Sequence, residues 1–136
     1  MYHRQNHAKD MSESMELLEI TSDSQGETHF RRTTIDLLQR DFAPPSKPVA
    51  ASAETPANSS LFLEAPPGWD DTFHTTPRRQ LAVLLGGTLK VTVSDGETVT
   101  MAPGDIVLLN DLSGKGHLSQ VQGDQPARFL LVGYDG

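Results

Sequence analysis

Five histidines stand out in this chain, because it has no cysteine and imidazole is then its side chain best suited to proton transfer and metal ligation near neutral pH. His3 and His7 belong to the polar first ten residues, which show no period and are expected to be disordered. That leaves His29, His74 and His117 as candidates for chemistry. The missing thiols exclude a disulfide scaffold, a cysteine nucleophile, thiolate zinc sites and iron–sulfur clusters. Asp111, Ser113 and His117 supply the three residue types of a hydrolase triad. They stand too close together in sequence, and no Gly-x-Ser-x-Gly elbow surrounds the serine. Gly114-Lys115-Gly116 lacks the remaining glycine and hydroxyl of a phosphate loop, and no Gly-x-Gly-x-x-Gly marks a dinucleotide site.

The spacing around His74 is more specific. Gly68 is followed by five residues, His74, one residue, Thr76, three residues, Gln80, six residues and Gly87. This resembles the first motif of the cupin superfamily, with Thr76 where the second histidine stands and Gln80 where the glutamate stands. Gly104 and His117 resemble the start and the histidine of the second motif, whose interior is stretched here and whose closing asparagine is replaced by Val121. The resemblance covers Leu61 to Tyr134 and points to small single-domain cupins. It implies a divalent metal (zinc, nickel, iron(II) or manganese) held by His74, Gln80 and His117. It further implies a small organic substrate, acidic or carbonyl-containing, and isomerase, cyclase, lyase or dioxygenase chemistry. Asp111 is then the candidate general base or outer partner of a ligand, and Lys115 or Arg78 would orient an acidic group. Trp69 could stack a ligand at the barrel mouth, and Thr76 could line the pocket. The two substitutions in the first motif support an alternative, a barrel that binds a small ligand without metal or catalysis. His29 alternates in phase with Arg31 and Thr33 and reads as a half-exposed strand residue.

Such a site requires strands that converge. From Leu61 onward, short extended segments alternate with turns: 61–63, Gln80–Leu85, Leu89–Val93, Glu97–Met101, Ile106–Leu109, His117–Val121 and Arg128–Tyr134. Leu89, Val91 and Val93 alternate with polar neighbours, the period of a half-buried strand, and Asp95-Gly96 is a hairpin signal. Upstream, Leu17–Ile20 and a segment beginning at Thr28 read as two further strands. His74 and Gln80 are expected on neighbouring strands of one hairpin, with His117 arriving from a later strand. No segment carries a helical stripe, so the expected fold is an all-β cupin-type barrel, or jelly roll, of about nine strands. Its organisation is expected as an extension over 1–16, N-terminal strands over 17–42, an arm over 43–60 and the barrel over 61–136. The arm carries four prolines and many Ala and Ser, a composition that suits neither a helix nor a central strand.

The chain has 136 residues, enough for one core, and a formal net charge of −7. That charge argues against a sequence-independent grip on nucleic acid. Its longest apolar runs are too short to cross a bilayer, and no leader pattern precedes them, so the expected location is cytoplasmic. A homodimer is expected, because small barrels of this kind carry exposed sheet edges that need cover.

Overall fold

The computed structural model describes residues 12–134. These divide into two compact units, residues 17–32 with 56–134 and residues 12–16 with 33–55. Ten strands run in chain order: β1 (Ser12–Ser22), β2 (Thr28–Arg40), β3 (Val49–Ala51), β4 (Ser59–Ala65), β5 (Gln80–Gly86), β6 (Thr88–Val93), β7 (Thr98–Met101), β8 (Ile106–Leu109), β9 (His117–Gln122) and β10 (Ala127–Gly133). The all-β expectation holds, and no helix occurs among the described residues.

In the larger unit, one sheet runs in the order β2-β1-β8-β5-β10-β4, and a second is β7-β6-β9. β1 pairs parallel with β8, whereas β8, β5, β10 and β4 pair antiparallel. Alternation decides which side chains face inward. In β5, Gln80, Ala82 and Leu84 are buried while their neighbours are less so, and in β6 the buried set is Leu89, Val91 and Val93. Ile20 from β1, Met101 from β7, Val107 from β8 and Phe129 from β10 complete the core between the sheets. The β5–β6 corner needs Gly87: its φ is +80°, and a Cβ there would collide with the carbonyl of Pro126.

The described residues of the smaller unit are mostly exposed. In it β3 pairs antiparallel with the end of β2, Leu38 opposite Ala51 and Arg40 opposite Val49. Leu38, Phe42 and Val49 are all exposed, and the Arg40 guanidinium lies over the Phe42 ring. Two boundaries differ from the sequence reading. β1 begins at Ser12 instead of Leu17, running beside β2 through the exposed residues 13–16. The segment 43–60 contains β3 and the first residues of β4, so its prolines confine pairing to a short edge and do not abolish it. Residues 1–11, including His3 and His7, lie outside the described residues.

Candidate functional site

The inner faces of β4–β10 enclose a cavity of about 610 Å³, the size of a small-molecule site. Its walls are mostly apolar, with Val91, Met101, Val107, Phe129 and Leu131 among them, and Ala82 leaves room that a larger residue would fill. The polar part of the lining includes His74, Thr76, Gln80, His117, Asp71 and Glu64.

His117 opens β9 and is buried. His74 lies in the loop before β5, where it forms an isolated antiparallel bridge with His117. Each backbone N–H donates to the other's carbonyl, at 3.0 Å from His74 and 2.9 Å from His117. The neighbours of β5 are β8 and β10, so His74 does not share a hairpin with Gln80, as the sequence reading expected. Gly116 makes the close approach possible: its φ is +77°, and a Cβ would strike the carbonyl of His74. The two imidazoles lie 4.7 Å apart between centroids and are tilted by 52°.

Both rings are oriented from behind. His117 Nδ1 lies 2.7 Å from Asp111 Oδ2, and Asp111 is fully buried. His74 Nδ1 lies 2.9 Å from the carbonyl oxygen of Thr72. A carbonyl only accepts, so this nitrogen carries the hydrogen, and the neutral ring keeps its lone pair on Nε2. With its carboxylate accepting, Asp111 fixes His117 in the same tautomer. Asp71 Oδ2 is 3.2 Å from His74 Nδ1, but the N–H is taken by Thr72, and that oxygen is buried without a hydrogen bond. Asp111 Oδ1 is in the same condition. Each Nε2 is therefore an acceptor with no protein partner among the described residues. Gln80 Nε2 lies 3.4 Å from Thr76 Oγ1, a long contact that turns the amide nitrogen toward the hydroxyl and leaves the amide oxygen to accept.

The residues singled out in the sequence divide into two groups. His74, Thr76, Gln80, His117 and Trp69 all line the cavity, and Asp111 backs it through His117. Lys115 and Arg78 do not line it. Lys115 pairs with Glu27 at 3.0 Å, and Arg78 donates to Ser59 Oγ at 3.2 Å. Asp71 and Thr72 escaped the sequence reading. An aspartate three residues before His74 offered a faint signal for the first, and a backbone carbonyl offers none for the second.

His29 sits elsewhere in this unit. Its Nε2 contacts Asp23 and its Nδ1 contacts Asp95, both at 2.8 Å. The hydrogen bond to Asp23, then that to Asp95, raises the histidine pKa above its ordinary value. Asp23 is lowered, chiefly by His29, and Asp95 is lowered by the Glu97 N–H and then by His29.

Against known proteins, residues 61–133 match the Cupin domain family. The chain belongs to the cupins. Its structure is similar to a sugar phosphate isomerase of the cupin superfamily from Silicibacter pomeroyi, at 23% identity, covering 57% of this chain and 50% of that one, with a TM-score of 0.47. This cupin thus spans half the length of that protein. A protein of unknown function from Rhizobium leguminosarum bv. viciae gives 27% identity, coverage of 57% and 69%, and a TM-score of 0.47. The Cnp3 cupin domain of Schizosaccharomyces pombe gives 14% identity, coverage of 92% and 85%, and a TM-score of 0.46. No curated protein matches.

The resemblance implies a divalent metal, and the donor set can be tested against one. Two imidazoles and one amide oxygen put no negative charge within direct reach of a dication, because Asp71 and Asp111 stand behind the rings. Asp111 spends its one bonded oxygen on the far side of His117. Among the described residues, no group of three His, Asp or Glu side chains converges. This set falls short of what holds a resident divalent ion.

Proposed function

We propose that this cupin is a small-molecule-binding barrel whose apolar cavity receives a ligand at two oriented imidazoles. One observation carries the reading: the His74 and His117 rings, 4.7 Å apart at the cavity wall, each have Nδ1 tied back and Nε2 without a protein partner. Convergent acceptors at one end of an apolar enclosure fix a ligand's polar group, while the walls take its body. The Asp111-backed His117 is also equipped to accept a proton from such a group.

A second reading is the metal-dependent enzyme acting on a small organic substrate. The same tying back of both Nδ1 atoms favours it, because ligating histidines are oriented in this way. Metal analysis and calorimetric titration of protein without a histidine tag separate the two. The binding barrel predicts no stoichiometric zinc, nickel, iron or manganese and no tight uptake on titration. It also predicts that Gln80→Glu, by adding one negative charge beside the two imidazoles, creates an uptake that the parent lacks. Stoichiometric metal in the parent, lost in both His74→Ala and His117→Ala, would establish the enzyme reading instead.

A further inference from the structure

We infer that the ligand of this cavity is an apolar amine, bound as its ammonium ion. The inference rests on the binding reading above and adds the charge of the ligand's head group. Among the described residues, no lysine or arginine lines the cavity. Arg78 and Lys115, the cations nearest in sequence to the two histidines, are turned to Ser59 and Glu27. Arg128, which does not line the cavity, is held by the lining residue Glu64 at 2.6 Å. A carboxylate or phosphate entering this space would lose its hydration and find neither a charge nor a ring of donors in return.

What the cavity does present is acceptors. His74 and His117 offer Nε2 lone pairs, and Gln80 offers its amide oxygen. Behind the two imidazoles stand Asp71 and Asp111, whose side chains are 10% and 0% exposed. Each keeps one buried oxygen without a hydrogen bond. Asp71 lines the cavity and Asp111 backs it through His117, so two carboxylates close to its polar end give that end a negative potential. An ammonium group supplies what is missing, three N–H donors and a positive charge. Trp69 at the mouth adds an aromatic face that attracts a passing cation. Val91, Met101, Phe129 and Leu131 accommodate the apolar remainder.

The test is titration of the full chain with three probes that share an aromatic body: 2-phenylethylamine, 2-phenylethanol and phenylacetate. A chelator is present throughout, at a pH of about 8, where the amine probe is still an ammonium ion. The amine should bind tightest and the carboxylate weakest, with about tenfold or more between them. His74→Ala, which removes a ring whose side chain is 47% exposed and so spares the fold, should erase most of the amine's advantage over the alcohol. An alcohol or carboxylate that binds as well as the amine would overturn the head-group assignment and leave the binding barrel standing. An amine preference unchanged in His74→Ala would also overturn it. Failure of all three probes would overturn both.

Discussion

His117 and Asp111 show how much of the site depends on one hydrogen bond. The pair is buried, and Asp111 Oδ2 is the acceptor that Nδ1 finds there, at 2.7 Å. Asp111→Ala would leave a buried ring nitrogen unmatched, at a cost of about 1–3 kcal/mol. Asp111→Asn keeps an oxygen that can accept, so its loss of stability in denaturant unfolding should be the smaller of the two. The cavity-lining set was legible in the sequence through its resemblance to the cupin motifs, whose positions His74, Thr76, Gln80 and His117 fill along one cavity. Charge is where that legibility fails. Lys115 and Arg78 are adjacent in sequence to site residues, yet ion pairing with Glu27 and a hydrogen bond to Ser59 turn them away. Such competition is decided by distant partners that no local pattern reveals.

The turn between β1 and β2 is fastened to the turn between β6 and β7 by more than packing. Thr28 and Ser94 exchange hydrogen bonds at 2.7 and 2.8 Å, and Thr28 Oγ1 also donates to the carbonyl of Gly116, next to His117. His29 adds a charged clasp between Asp23 and Asp95, beside the Glu27–Lys115 pair. Its raised pKa means that its contribution is complete below 6.5 and is lost as pH rises through the folded value. The lowered pKa values of Asp23 and Asp95 mean that their share is present above 3.8 and is lost as pH falls through their folded values. The clasp is therefore strongest in mildly acidic solution. Thermal melts of His29→Gln should lie below the parent there, and the two should converge as pH rises through the raised folded value of His29. Equal separation across that range would show that the imidazolium contributes nothing. Gly87→Ala tests the β5–β6 corner. Left-handed strain together with the collision at Pro126 should cost about 3 kcal/mol. Gly104, with a φ of +97° but open space around it, should lose only the strain, about 1–2 kcal/mol, on the same substitution.

The larger unit carries the buried core, whereas the described residues of the smaller unit are mostly exposed. Cleavage of the exposed stretch 53–57 by a protease should leave the cooperative melt of the larger unit intact. A cut inside β4 should not, since its seven residues pair with β10 from Ser59 opposite Gly133 to Ala65 opposite Ala127. From β4 onward the strands were readable because alternation and turn residues agree at every step. The start of β1 was not, because residues 12–16 carry no apolar alternation that would mark a strand. The bridge between His74 and His117 carries one more consequence, for the order in which the molecule comes into being. These two residues lie far apart along the chain, and the loop between them contains β5 to β8. Closing so long a loop is entropically costly until the strands inside it have paired, which makes such a contact slow to form. The joining of the two imidazoles at the cavity's polar end is therefore expected to be a late event, after β5 to β8 have paired.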